Sequence, residues 1–351
     1  MKNNYVAIMA GGIGSRFWPS SNEDKPKQFL DILGTGKSLL RQTFERFLTF
    51  FPQENIYIVT NKRYNTLVNE QIPELDSKQI INEPSRNNTA PSVAYTAFKI
   101  YDLNPNANIV MAPSDHIIMK EFEFKNHVLD ALNFATKNNS LLTLGILPTR
   151  PDTGYGYIEL NNKINGAGFD IFKVKSFREK PDLQTAKQYL ESKKYLWNAG
   201  IFIWSAESIL KALEEFAPGV YNRLNADSGI YNTQKEKAFI EENYPMTTKI
   251  SIDFAIMEKA SNIYTIPADI AWSDLGTWNS LHAFSPKDEN LNVLIGGKGN
   301  FITSNNNIIK VSTGKKVVTK DLNGFIVIDE NDTLLIYPKD KEQEIKDIDK
   351  S

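Results

Sequence analysis

Short apolar runs alternate with longer amphipathic stretches through roughly the first 285 residues. Tyr5–Met9, Ile56–Thr60, Ile109–Ala112 and Leu141–Ile146 are short and rich in aliphatic residues, which predicts strands. Leu39–Phe51, Ala90–Tyr101 and Phe122–Asn138 predict helices between them. Strand and helix in alternation predict an α/β sheet with crossover helices. Ligands in such sheets bind beyond the carboxyl ends of the strands, which is where positions 11–16 and 113–116 fall.

The pattern changes after Pro286. Leu291–Ile295, Asn300–Thr303, Ile308–Val311, Lys316–Val318, Phe325–Ile328 and Leu334–Tyr337 are short apolar runs separated by Gly, Asn and Asp turns. That spacing predicts a small all-β unit, a short solenoid or meander. The expected division is therefore 1–285 and 286–351, with a charged tail at Lys339–Ser351.

Composition narrows the classes. The chain has 351 residues, 41% hydrophobic and 23% charged, which suits a globular protein. A net charge of −2 gives no reason to expect nucleic-acid binding. With no cysteine, disulfides, thiolate catalysis and cysteine–zinc sites are excluded. No apolar run approaches the roughly 20 residues that cross a bilayer. The N-terminus enters a strand at once, without room for a signal peptide, so a cytoplasmic protein is expected.

The most informative chemistry is Met9-Ala10-Gly11-Gly12-Ile13-Gly14-Ser15-Arg16-Phe17-Trp18-Pro19, followed by Pro26-Lys27-Gln28-Phe29. A glycine loop after a first strand lets backbone N–H groups close around an anion, and Arg16 and Lys27 add fixed cations. It is not a Rossmann fingerprint, because the third glycine of G-x-G-x-x-G is missing. Gly36-Lys37-Ser38 does not make a Walker A loop, because Asp31 stands where its first glycine is required. Gly34–Ser38 reads instead as a polar turn capping the helix from Leu39.

The pattern G-G-x-G-x-R-x-W-P…P-K-Q-F resembles the sugar-nucleotide pyrophosphorylases, and among them the mannose-1-phosphate guanylyltransferase branch. The resemblance runs in order from Gly11 to Asp274 and into the C-terminal unit. It implies a Rossmann-like nucleotidyltransferase domain with a mixed, mostly parallel sheet and a small C-terminal β-helix-like domain. It also implies transfer of GMP from GTP to α-D-mannose 1-phosphate, giving GDP-mannose and pyrophosphate, with Mg²⁺ and a homodimeric assembly. The alternatives are another sugar 1-phosphate or base, or a non-catalytic nucleotide-sensing relative. A sensor is expected to have lost some of Arg16, Lys27, Asp115, Lys180 and Asp274, and all five are present.

Such a reaction joins two polyanions, and each close pair of like charges costs about 4 kcal/mol at 4 Å and an effective dielectric near 20. Cations and one or two metal-holding carboxylates at strand ends answer that need. Asp115, in Ala112-Pro113-Ser114-Asp115-His116, and Asp274, in Trp272-Ser273-Asp274-Leu275-Gly276-Thr277-Trp278, are the expected metal ligands. His116 is either a neighbour of that site or simply packed. With Arg16 and Lys27 these two aspartates form the expected catalytic set, Arg16 at the β- and γ-phosphates and Lys27 at the α-phosphate. Gly11, Gly12, Gly14 and Ser15 are expected on the nucleotide. So are Glu83, Asn88 and Thr89 of Glu83-Pro84-Ser85-Arg86-Asn87-Asn88-Thr89-Ala90-Pro91, with Glu83 accepting the guanine N–H donors. Thr89 is also placed to cap the helix from Ala90. In the family a basic residue usually stands where Asn87 is. On the sugar phosphate the resemblance implies Glu179, Lys180 and Asn198, and a glycine pair that permits close backbone approach to a sugar adds Tyr155 and Gly156. They come from Gly154-Tyr155-Gly156-Tyr157, Arg178-Glu179-Lys180-Pro181 and Trp197-Asn198-Ala199-Gly200-Ile201-Phe202. Ser251-Ile252-Asp253-Phe254 resembles a further family signature, and its aspartate carries no assigned role.

Overall fold

A computed structural model describes residues 2–12, 14–164, 168–227 and 229–348. Ile13 of the glycine loop and the last three residues of the expected tail lie outside the described residues. The chain divides into two compact units, each discontinuous in sequence. The first comprises Met1–Gly11, Phe44–Pro113 and Ile118–Trp272. The second comprises Gly12–Thr43, Ser114–Ile117 and Ser273–Ser351.

The first unit is built on strands β1 (Asn4–Met9), β2 (Ile56–Asn61), β3 (Ile80–Glu83) and β4 (Asn108–Pro113). The two-residue strands β5 (Ile117–Ile118) and β11 (Trp272–Ser273) fall at the boundaries of the units. Strands β6 (Leu141–Ile146), β7 (Tyr157–Ile164), β8 (Ile171–Arg178), β9 (Tyr195–Ser205) and β10 (Ile263–Ala268) complete a nine-stranded sheet. Its order is β3-β2-β1-β4-β9-β6-β10-β8-β7, with β9 also pairing to β7. The four predicted strands are present. So are the helices, at Leu39–Leu48, Thr89–Leu103 and Glu121–Lys137.

The sheet is mixed, as expected, but "mostly parallel" is corrected. β1–β2, β2–β3, β1–β4 and β6–β10 are parallel. β4–β9, β6–β9, β7–β8, β7–β9 and β8–β10 are antiparallel. The reason is connection length: β7 ends at Ile164 and β8 starts at Ile171, a separation too short to hold a crossover helix. On the parallel side, Met9 lies level with Pro113, so β1 and β4 end side by side.

Thr89–Leu103 packs an almost wholly buried face, including Ala90, Val93, Ala94, Ala97 and Ile100, into the core of this unit. Small residues at that spacing allow close approach of a helix to a sheet. Asn88 caps it at φ 68°, its side chain accepting from Thr89 N at 2.9 Å. The helix therefore begins one residue earlier than expected, and Thr89 is not the cap.

In the second unit, β12 (Val293–Ile295), β14 (Ile308–Lys310) and β16 (Phe325–Glu330) pair in parallel, and β17 (Thr333–Pro338) runs antiparallel to β16. β13 (Lys298–Ile302) pairs in parallel with β15 (Lys316–Lys320). Val293, Ile308 and Ile326 stand in one rung. An asparagine ladder ties adjacent turns, Asn307 Nδ2 donating to Asn292 Oδ1 at 2.9 Å and Phe325 N to Asn307 Oδ1 at 2.8 Å. The same apolar cluster holds Phe17, Leu30 and Leu39 from the segment after the glycines and Trp278 from the W-x-D-x-G-T-W motif. Phe17 and Trp278 pack with ring centroids 4.8 Å apart.

Candidate active site

In the second unit, one buried ammonium organises the residues expected to be catalytic. Lys27 opens a 3₁₀ turn, Lys27–Phe29, and is 4% exposed. Its Nζ lies 2.8 Å from Asp115 Oδ2 and donates to the backbone carbonyls of Asp274 and Leu275, each at 2.9 Å. An ammonium has three hydrogens, so these acceptors saturate it. Burial pushes the Asp115 carboxyl up, but the Lys27 ammonium and His116 outweigh it and hold it below the usual range. His116 is mostly buried, Nε2 4.0 Å from Asp115 Oδ1, so it is both packed and a neighbour of the carboxylate. Asp274 Oδ1 accepts from Gly276 N at 3.0 Å, in a turn where Leu275 sits at φ 46°.

The glycine loop meets this group directly. Gly14 has φ 72°, and a Cβ there would stand 2.5 Å from Lys27 Cβ, so both conformation and space require glycine. Gly12 has open space around it. Gln28 Nε2 donates to the Gly12 carbonyl at 2.9 Å, which pins the loop from the P-K-Q-F segment. Ser15 and Arg16 are exposed, and Arg16 has no partner among the described residues.

The predicted base loop lies in the first unit. Glu83 is buried, and its Oε1 accepts from both the Ser92 and Tyr244 hydroxyls. Burial raises its pKa, and the two hydroxyl hydrogen bonds oppose the rise. Its Oε2 is the atom nearest the side-chain position of Gly11, at 3.7 Å. Asn87 is fully buried, with Nδ2 donating to Tyr244 O at 2.8 Å and Thr247 Oγ1 at 2.9 Å. It replaces the usual basic residue as a brace of the fold. Arg86 donates to Tyr64 Oη at 2.7 Å. Thr89 Oγ1 accepts from Ile252 N at 2.9 Å.

The predicted sugar residues gather by strand register, also in the first unit. Tyr157 stands opposite Arg178 of β8 and opposite Trp197 of β9. Gly156, just before β7, Glu179, just after β8, and Asn198 of β9 are therefore neighbours. Asn198 N donates to Gly156 O at 2.8 Å, and a Cβ on Gly156 would lie 2.5 Å from Glu179 Oε2. A shift of register between Thr143 and Gly145 opposite β9 marks an irregularity at Asn198, with Gly200 at φ 65°. Such irregularities re-aim a side chain. Lys180 is at φ 44°, pairs with Glu179 Oε1 at 2.9 Å and stays exposed. Tyr155 packs its ring against Trp197 and Trp272, 5.0 and 5.2 Å between centroids. Trp197 and Phe202 are core residues.

Sequence reasoning left Gln28, Ser92 and Tyr244 out of the site, and left Asp253, though it stands in a motif, without a role. Gln28 stands in Pro26-Lys27-Gln28-Phe29, and its polarity beside Phe29 was the available signal. Ser92 and Tyr244 gave none, since neither lies in a motif matched to the site.

Among the described residues no cluster of three or more His, Cys, Asp and Glu is arranged to hold a metal. Asp115 meets the ammonium through its carboxylate and Asp274 through its backbone carbonyl, so the segments that carry these two hard carboxylates are joined at one cation. That donor set fits Mg²⁺, which takes one or two protein carboxylates and completes its shell with phosphate oxygens and water.

Residues 5–290 match the family model described as nucleotidyl transferase. A mannose-1-phosphate guanylyltransferase from Salmonella muenchen is 37% identical over 354 residues, covering 97% of this chain and 72% of its own. Another, from Escherichia coli, is 33% identical over 349 residues, covering 97% and 74%. A Thermus thermophilus structure, described as a mannose-1-phosphate geranyltransferase, superposes with a TM-score of 0.87 at 29% identity, covering 99% of this chain and 98% of that one. With a family model matching most of its length and curated relatives above 30% identity, the chain belongs to the nucleotidyl transferase family, in its mannose-1-phosphate guanylyltransferase branch.

Proposed function

We propose that this enzyme transfers GMP from GTP to α-D-mannose 1-phosphate, releasing pyrophosphate. The observation that carries the reading is the meeting of Asp115 and Asp274 at the Lys27 ammonium, from three motifs far apart in sequence. A phosphate oxygen of the sugar phosphate attacks the α-phosphorus as the bond to the pyrophosphate oxygen breaks. No covalent enzyme intermediate is needed, because the attacking oxygen is already ionised.

Arg16, exposed and unpartnered among the described residues, binds the β- and γ-phosphates and disperses charge on the leaving pyrophosphate. Gly11, Gly12, Gly14 and Ser15 supply backbone N–H groups to the triphosphate. Glu83, Asn88 and Thr89 form the base site, where the Glu83 oxygen not bonded to Ser92 and Tyr244 accepts guanine donors. Lys27, saturated by its three acceptors, holds Asp115 and the Asp274 turn in place and reaches the α-phosphate by exchanging one of them. Asp115 and Asp274 would hold Mg²⁺, which when bound neutralises phosphate charge. Gly156, Glu179 and Asn198 bind sugar hydroxyls, Tyr155 lines them, and Lys180 takes the sugar phosphate.

In family terms 1–285 is the catalytic domain and 286–351 a short β-helix, a reading supported by the parallel rungs of Val293, Ile308 and Ile326. The proposed location is the cytoplasm. No helix of the described residues is long and apolar enough to cross a membrane. The proposed assembly is a homodimer, which light scattering tests.

Pyrophosphate release from four nucleoside triphosphates crossed with several sugar 1-phosphates, with and without Mg²⁺, is the test. Turnover confined to the GTP–mannose 1-phosphate pair is expected. Turnover with UTP and glucose 1-phosphate alone overturns the specificity, and GTP binding without turnover of any pair supports a sensor.

A further inference from the structure

Ser251-Ile252-Asp253-Phe254 is the motif that the assigned roles leave unused, and three observations converge on its carboxylate. Asp253 begins a π-helical turn, Asp253–Met257, a rare geometry found mostly as single turns and often at functional sites. Its Oδ1 accepts from Asn198 Nδ2 at 2.8 Å, while Asn198 Oδ1 accepts from Gly200 N at 3.0 Å and Thr143 Oγ1 at 3.3 Å. With both ends tied, the Asn198 amide cannot flip and has one N–H left. Asp253 Oδ2 has no side-chain hydrogen-bond partner among the described residues. Burial first, and then the neighbouring Glu179 charge, push this carboxyl up to about 6, against the Asn198 hydrogen bond and the Lys180 charge.

Resting on the reading of Gly156, Glu179 and Asn198 as the sugar site, we infer that Asp253 determines sugar specificity. One of its oxygens fixes the Asn198 amide as a donor, and the other joins Glu179 as a second acceptor. Two carboxylates and one N–H suit two adjacent sugar hydroxyls, each donating to a carboxylate while one accepts from Asn198. The ligand class is a sugar 1-phosphate with a free vicinal diol.

The activity matrix is measured first, so an error in the GTP–mannose assignment appears there, and Asp253 is then tested on whichever pair turns over. Asp253→Asn keeps an acceptor for Asn198 but loses the second one. It is expected to raise KM for the sugar 1-phosphate about tenfold to a hundredfold, with KM for the nucleotide within about threefold. A merely structural Asp253 would not produce that split. Monodeoxy sugar 1-phosphates supply a measurement on the unmodified protein: one lacking a hydroxyl of the diol loses a comparable factor, and that loss shrinks in the variant. In the wild type, kcat/KM for the sugar falls as pH drops through about 6, and the part due to Asp253 vanishes in the variant. The titration of the substrate phosphate is common to both proteins. Unchanged sugar KM in a folded variant, or equal penalties for every deoxy analogue in the wild type, overturns the inference.

Discussion

Lys27 Nζ stands 2.8 Å from Asp115 Oδ2 while it donates to the Asp274 backbone carbonyl, joining two residues that the sequence separates widely. Removing the ammonium leaves Asp115 part-buried and uncompensated, with two carbonyls short of a donor. Lys27→Met is expected to destabilise the protein by about 3 kcal/mol and lower kcat/KM at least a hundredfold. Lys27→Arg should rescue neither, because a planar guanidinium cannot direct three hydrogens at acceptors spaced around an ammonium. Denaturant unfolding and steady-state kinetics check both, and an active, stable Lys27→Arg protein would contradict the brace.

Asp115→Asn keeps the shape of the side chain and removes its charge. Turnover should fall by orders of magnitude while the folded state persists, as seen by circular dichroism. Near-wild-type kinetics would remove Asp115 from the metal site.

Gly14 and Gly12 make opposite predictions within one loop. Gly14→Ala forces a side chain into φ 72° and to within 2.5 Å of Lys27 Cβ, so a loss of at least about 1–2 kcal/mol and of activity is expected. Gly12→Ala meets open space and should fold normally. Equal melting temperatures for the two variants would show that the Gly14 approach is not required.

Thr89 links the base loop to the turn that carries Asp253, because its Oγ1 accepts from Ile252 N at 2.9 Å and Ala90 N donates to Ile250 O at 3.1 Å. Thr89→Val removes the first bond at nearly constant volume. Its expected signature is a rise in KM for both substrates, about threefold to tenfold. A rise for the nucleotide alone would mean that the two segments act separately.

Asp253 also sets a sign for stability against pH. Its folded pKa, about 6, lies above the ordinary 3.8, so the folded state holds the proton more tightly. Its contribution is therefore fully present below about pH 4 and is lost as pH rises through about 6, amounting to about 3 kcal/mol above that. Asp253→Asn should remove this loss and raise the melting temperature at pH 7 relative to pH 5. An unaltered pH dependence would show that Asp253 titrates normally.

Much of the first unit was legible because its signals are local. A run such as Leu141–Ile146 or a helix such as Glu121–Lys137 declares its period within its own length. The six short C-terminal runs were readable for the same reason. The antiparallel half of the sheet was not, because pairing direction depends on how the chain returns rather than on any one strand. The helix after Asn88 began one residue early because a backbone at φ 68° let asparagine take the cap that threonine was expected to supply.

The sequence by itself determined the chemical inventory: a glycine loop, its cations, two metal-capable aspartates and a set of polar side chains proposed for the sugar, in an order that marks the family. Only the tertiary structure decided how they are used. Lys27 is saturated by three acceptors, Asn87 braces the fold, and Glu83 is held by Ser92 and Tyr244. Asp253, whose motif stood out in the sequence without a role, locks Asn198. Each of these facts depends on the separation between groups distant in sequence, which the order of strands and the burial of their ends fix. No periodicity within a segment encodes that separation.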